Sequence, residues 1–146
     1  MDLQNPEQKM SKSEENDKGV VFIADSDKQI LKKVKSAVTD SGSEILFSDA
    51  QPGIKNLLTI QSSLTGKSPE ELQTSYEGKQ YGQLKVETAE IVLEALRPIR
   101  EKSQNYLSDR GELDRILATG AERASKRAAR TLKAVYEAIG LSLIHI

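Results

Sequence analysis

The sequence predicts a mainly helical protein, an irregular bundle with little sheet and no internal repeat, and three observations predict it. Two long stretches, about 82–107 and 111–139, repeat apolar residues at the three- and four-residue spacing of an α-helix. The segment SPEEL at 68–72 carries a complete helix start, with Ser68 as N-cap, Pro69 as the first helical residue and Glu71 placed to bond back to the cap. Pro52-Gly53 and Gly66 bracket a further helical run, GIKNLLTIQSSL, with a turn before it and a C-cap after it. The two longest helices are expected to supply most of the core.

In chain order, residues 1–19 are polar, with isolated apolar positions at Leu3 and Met10, and read as an exposed connection. GVVFIA at 19–24 is a short apolar run that fits a strand or a buried segment, and it ends at the cap candidates Asp25 and Ser26. In the helix that follows, Ile30, Leu31, Val34 and Val38 fall at helical spacing while Lys28, Lys32, Lys33 and Lys35 occupy other faces. TDSGSE at 39–44 breaks the pattern, an ILF run follows, and then comes the helix between Gly53 and Gly66. The helix starting at Ser68 stops near Gly78.

The first long helix places Glu87, Glu90, Glu94 and Glu101 on one side and Leu84, Ile91, Val92, Ala95 and Ile99 on the other. Pro98 removes a backbone donor inside it, which predicts a kink. The last helix carries an apolar stripe of Leu113, Leu117, Ala121, Ala124, Ala128, Leu132 and Val135, with Gly140 as its C-cap. At 100° per residue, Arg123, Lys126, Arg127 and Arg130 form a basic ridge opposite that stripe.

Composition excludes several classes of function. With 21 basic against 22 acidic residues, the 146-residue chain offers no global charge to hold a polyanion, so any such site is local. The absence of cysteine removes disulfides, thiolate metal sites and a cysteine nucleophile, and fits a reducing cytoplasm. No apolar run approaches the roughly 20 residues needed to cross a bilayer, and the start MDLQNPEQK has no signal-peptide core. Asp25, Asp27, Asp40 and Asp49 suit caps and turns better than a metal cluster. Tyr76, Tyr81, Tyr106 and Tyr136 read as packing residues. His145, in the apolar tail LSLIHI, has no catalytic partner nearby in sequence.

The segment QKMSKSEENDKG at 8–19 sets two ammonium groups, Lys9 and Lys12, around a serine, with Ser13 adding a second hydroxyl and Gly19 a point of free rotation behind. Lysine is a compact charge on a flexible stem, suited to following phosphate oxygens as they move during a reaction. When a nucleotide is transferred to a carboxylate, negative charge grows on departing pyrophosphate. A mobile loop that tightens on it only then lowers the barrier by differential binding of the transition state. Read alone, the pentapeptide also fits a solvated polar loop.

Lys9-Met10-Ser11-Lys12-Ser13 is the KMSKS signature as class I aminoacyl-tRNA synthetases carry it, and NPEQKMSKS, KKVKSAVTDSG, PGIKNLLTIQSSLTGKSPEEL, YEGKQYG, LRPI, GAERA and TLKAVYEAIG follow in order and at family-like spacing. Over about residues 3–141 the chain resembles bacterial-type tryptophanyl-tRNA synthetases. The resemblance implies ATP- and Mg²⁺-dependent activation of L-tryptophan, release of pyrophosphate, and transfer to tRNA(Trp) by a cytoplasmic homodimer. It makes Lys9 and Lys12 the catalytic lysines and Lys9, Met10, Ser11, Lys12 and Ser13 the ATP loop, with Mg²⁺ arriving through ATP. It also implies a C-terminal fragment beginning just before that loop, without the preceding Rossmann-type fold and its H-I-G-H-like segment, and inactive alone. Residues 1–19 would end the catalytic domain, 20–140 form the helical tRNA-side domain, and 141–146 be a tail beyond the resemblance.

Lys28, Lys32, Lys33 and Lys35, with Arg123, Lys126, Arg127 and Arg130, are the candidates for tRNA phosphate contact; the alternative is a solvated helix face. Two other functions stay open at this level: a free-standing RNA-binding module without catalysis, and a structural remnant without a partner.

Overall fold

The computed structural model describes residues 1–11 and 17–141, and among them there is no strand. A single 3₁₀ turn at Asp17–Gly19 precedes five helices: α1 (Asp27–Lys35), α2 (Pro52–Thr65), α3 (Pro69–Ser75), α4 (Tyr81–Ser108) and α5 (Arg110–Ala138). The chain forms two compact units, Met1–Glu101 and Lys102–Ile146, so the division falls inside α4. No helix of the described residues is long and apolar enough to cross a membrane.

Local signals set the helix ends. Ser26 caps α1 reciprocally, its hydroxyl accepting from the Gln29 amide while Gln29 Oε1 accepts from the Ser26 amide at 2.8 Å. Ser68 and Glu71 do the same at α3, where Glu71 Oε2 accepts from the Ser68 amide at 2.8 Å and Ser68 Oγ from the Glu71 amide at 3.2 Å. Pro52 stands in the first turn of α2, and Gly66 ends that helix at φ +75°, a left-handed conformation that suits a residue without Cβ. α4 runs on through Pro98 as one helix.

The core of the first unit gathers Leu3, Ile30, Val34, Ala37, Ile45, Ile54, Leu57, Leu58, Leu72, Tyr76, Leu84, Ala89 and Val92. It therefore draws on α1, α2, α3 and the first half of α4. Each aliphatic side chain fully buried here, such as Ile30, Ile54, Leu57, Leu58 and Leu84, contributes about 1.5–3 kcal/mol relative to exposure. Gly53 allows α2 to approach the segment after α1, because a Cβ there would lie 2.1 Å from the Val38 carbonyl oxygen.

Several expectations are corrected. The two long helices do not supply most of the core: α4 buries only Leu84, Thr88, Ala89 and Val92, and α5 buries nothing. Leu117 and Leu132 of the α5 stripe are 60% and 48% exposed. The opening segment is exposed only in part: Glu7, Gln8, Lys9, Asp17 and Lys18 are exposed, but Asp2, Leu3 and Gly19 are buried. The run at 19–24 is not a strand; Val20 is buried while Ile23 is exposed. Glu87, on the glutamate side of α4, is half-buried in a polar network, described next.

That network fills the junction of α2, α3 and α4. Gln61 Nε2 donates to Tyr76 Oη at 3.0 Å and to Thr88 Oγ1 at 2.7 Å, and the Tyr76 hydroxyl donates to Glu87 Oε2 at 2.7 Å. Lys79 pairs with Glu87 at 3.1 Å and lies 4.7 Å from the centre of the Tyr76 ring. Burial first, and then the neighbouring Glu87 carboxylate, push the Tyr76 phenol well above its ordinary pKa. Burial of Glu87 works in the upward direction, yet the bonds from Tyr76 and Lys79 and the lysine charge outweigh it and hold the carboxyl below its ordinary value.

Candidate functional site

The loop that begins after Leu3 carries Lys9, and its base is fastened by backbone bonds to distant parts of the chain. The Leu3 amide donates to the Gly19 carbonyl at 2.9 Å and the Val38 amide donates to the Leu3 carbonyl at 2.8 Å. The two ends of the segment 4–18 are thereby brought together. Asp2 tightens the entry, its Oδ1 accepting from the amides of Gln4 at 2.7 Å and Asn5 at 2.9 Å. Gly19 leaves room for Asp2 at the exit, since a Cβ there would fall 2.1 Å from Asp2 Oδ1 and force that side chain to move.

Asn56 of α2 holds the same entry from below. Its Oδ1 accepts from the Met1 nitrogen at 3.0 Å, and its Nδ2 donates to the carbonyls of Met1 at 3.3 Å and Asp2 at 3.1 Å. Within the loop Lys9 is exposed, whereas Met10 is half-buried and packs against the core. Met10 lines an apolar groove with Val21, Ile60, Leu64, Val92 and Leu96. The loop is thus anchored at its base and at Met10, with the Lys9 ammonium turned to solvent. Lys12 and Ser13 lie outside the described residues.

Of the lysines on α1, three are exposed and one is not. Lys28, Lys32 and Lys35 face solvent. Lys33 is buried, its ammonium 2.8 Å from Asp25 Oδ2, 3.7 Å from Asp17 Oδ2 and 4.8 Å from the centre of the Phe22 ring. The expectation that it stands with the other three is corrected: Lys33 shares the inward face with Ile30, Val34 and Ala37, at helical spacing. Asp25 Oδ2 also accepts from the Phe22 amide at 2.9 Å, so one carboxylate oxygen takes both the lysine and a backbone donor. Arg100 of α4 donates to the Asp25 carbonyl at 3.1 Å and pairs with Asp27, closing the start of α1.

In the second unit Asp109 caps α5 by accepting from the Glu112 amide at 2.9 Å. Arg123, Lys126, Arg127 and Arg130 are all exposed. Lys126 pairs with Glu122 at 2.7 Å, and among the described residues the three arginines pair with no carboxylate. Charges so placed meet a polyanion without first breaking a strong internal bond. Among the described residues no group of three or more histidine, cysteine, aspartate or glutamate side chains is gathered to hold a metal ion.

Sequence reasoning missed Asp2, Asn56 and the inward turn of Lys33. Asn56 had a local signal, a poor helix former inside the run IKNLLTI, but its partners lie more than fifty residues away.

A family model described as tRNA synthetases class I (W and Y) matches residues 1–97. Tryptophan--tRNA ligase of Corynebacterium efficiens is 51% identical over 140 residues, which is 95% of this chain and 40% of that protein. The ligase of the same description from Bacillus anthracis is 49% identical over 143 residues, 97% of this chain and 43% of its own length. Among solved structures, tryptophanyl-tRNA synthetase from Mycoplasma pneumoniae matches with a TM-score of 0.74 at 31% identity, over 97% of this chain and 43% of that one. The chain spans about two fifths of the length of the curated relatives it matches.

Proposed function

From the premise that this chain belongs to the class I tRNA synthetases (W and Y), we propose that it is part of a tryptophanyl-tRNA synthetase. In this reading the whole enzyme activates L-tryptophan with ATP and transfers it to tRNA(Trp). The observation that carries the proposal is the match of 95% of the chain, at 51% identity, to a tryptophan--tRNA ligase.

The loop supports the chemistry in a specific way. A carboxylate oxygen of tryptophan attacks the α-phosphorus of ATP, the bond to the bridging oxygen breaks, and the electron pair leaves with pyrophosphate. Lys9 stands exposed on a loop whose base is fixed, so its ammonium can follow the phosphates while the scaffold stays in place. Lys12 shares that role, and Met10, Ser11 and Ser13 complete the ATP-binding segment. Mg²⁺ arrives on the phosphate oxygens of ATP.

The exposed Lys28, Lys32 and Lys35, with Arg123, Lys126, Arg127 and Arg130, are proposed to contact tRNA phosphates. Lys33 is left out because its ammonium is committed to Asp25. The proposal extends to a cytoplasmic homodimer for the whole enzyme, and to a chain of these 146 residues that is inactive alone.

The test replaces the matched stretch of the C. efficiens ligase by this chain and measures charging of tRNA(Trp) with tryptophan. The joined protein is expected to charge the tRNA and the chain alone to charge none. A joined protein that folds and binds tRNA(Trp) yet forms no tryptophanyl-adenylate contradicts the proposal.

A further inference from the structure

The residues that would meet ATP lie in the loop, whereas the residue that holds the loop's entry lies on another element, α2. Asn56 projects from α2, is 6% exposed, and spends its whole carboxamide on backbone groups of residues 1 and 2. From there the bonds run outward in sequence. Asp2, whose carbonyl Asn56 holds, captures the amides of Gln4 and Asn5, and its own amide donates to the Gln8 carbonyl at 2.8 Å, one residue before Lys9. Leu3, between them, closes the base on Gly19. A buried asparagine in a helix interior has low helix propensity and needs every polar partner it can find. Among the described residues its partners belong to the loop entry.

Resting on the reading that this loop binds ATP, we propose that Asn56 is a positioning residue for adenylate formation: it sets where Lys9 stands against the phosphates without contacting them. A hinge-like loop delivers its charge reproducibly only when its base is fixed, and a displacement of about 1 Å in a positioned group costs on the order of a hundredfold in rate. The effect belongs to the ATP side of the reaction. Tryptophan binding is untouched by it.

The experiment uses the joined protein described above, in which residue 1 carries a peptide N–H instead of a terminal ammonium, so Asn56 Nδ2 and the carbonyls of residues 1 and 2 are the contacts carried over from this structure. Tryptophan-dependent ATP–pyrophosphate exchange is measured for Asn56→Ala, for Asn56→Asp, and for Leu72→Ala, which loosens the same unit from α3. Asn56→Ala is expected to lower kcat/KM for ATP by about tenfold or more while KM for tryptophan stays within about twofold. Asn56→Asp, which sets a carboxylate against two carbonyls, is expected to be the worse of the two. Leu72→Ala leaves kcat/KM for ATP near the unmutated value at a temperature where it is folded.

A second readout needs no activity: tryptic cleavage after Lys9 in the 146-residue chain is expected to accelerate in Asn56→Ala and not in Leu72→Ala. The proposal is overturned if Asn56→Ala leaves ATP kinetics within about threefold of the unmutated protein, or if Leu72→Ala reproduces its effect. An unmutated joined protein without any exchange sinks the functional reading itself, and the proposal with it; accelerated cleavage with normal ATP kinetics sinks the proposal alone.

Discussion

Replacing Tyr76 by phenylalanine tests the polar network that joins α2, α3 and α4. The ring stays, so apolar burial is unchanged and only the hydroxyl is lost. Its contacts go with it: the bond donated to Glu87 at 2.7 Å, the one accepted from Gln61 Nε2 at 3.0 Å, and the approach to Gln61 Oε1 at 3.2 Å. A hydrogen bond to a charged acceptor contributes about 1.5–3 kcal/mol, and since the Glu87 side chain is 43% exposed, water replaces part of it and the lower end applies. Gln61 Nε2 keeps Thr88 at 2.7 Å, but the buried Gln61 Oε1 loses its contact with the hydroxyl, so the Gln61 side adds about 0.5–1.5 kcal/mol. The sum is about 2–3 kcal/mol at neutral pH.

The loss depends on pH with a definite sign. In the native protein the Glu87 carboxyl is held below its ordinary value of 4.5, so its contribution is present above that value and disappears as pH falls through the lowered one. Phenylalanine at 76 removes one cause of the lowering, so the gap between native and variant narrows on acidification. The assay is denaturant-dependent amide exchange of α2 and the first half of α4, at neutral pH and below 4.5. A loss under about 0.5 kcal/mol at neutral pH, or a gap that does not narrow in acid, refutes the reasoning.

Other perturbations have equally definite outcomes. Gly53→Ala sets a Cβ 2.1 Å from a backbone oxygen that cannot swing aside, and is expected to cost about 1–3 kcal/mol or more in urea unfolding. Lys33→Ala leaves the buried Asp25 carboxylate without its cation and is expected to cost about 3–5 kcal/mol, whereas Lys28→Ala on the exposed face of the same helix stays within about 0.5 kcal/mol. In alkali, burial first and then the bond to Asp40 push the Tyr81 phenol up to about 12. Because that pKa is raised on folding, stability is full below the ordinary value of 10 and falls as pH rises from there toward 12, which tyrosinate absorbance alongside circular dichroism will follow.

The helix boundaries were legible because each is written locally. Ser68 and Glu71 sit three residues apart and bond each other, and Gly66 takes the left-handed turn that its position predicted. The inward turn of Lys33 was legible in principle, since Ile30, Lys33, Val34 and Ala37 share one helical face, but a lysine among lysines reads as solvated until Asp25 is seen beside it. The burial of Asp2 and Leu3 had no local signal: it depends on Gly19, Val38 and Asn56, brought together only by folding. The apolar stripe on α5 predicted a buried face, yet periodicity records only that a face is apolar. The loop's chemistry was read from five residues and a resemblance; its scaffold required coordinates.

The central claim is that the lysines of this loop stabilise the phosphates as ATP is broken. It is tested most directly by the rate of tryptophanyl-adenylate formation in the joined protein carrying Lys9→Ala or Lys12→Ala. Loss of one preorganised charge contact in the transition state predicts a fall of about 10²–10³ in rate, about 2.7–4 kcal/mol of barrier, with tryptophan affinity unchanged. A rate within a few-fold of the unmutated protein for both variants contradicts the account.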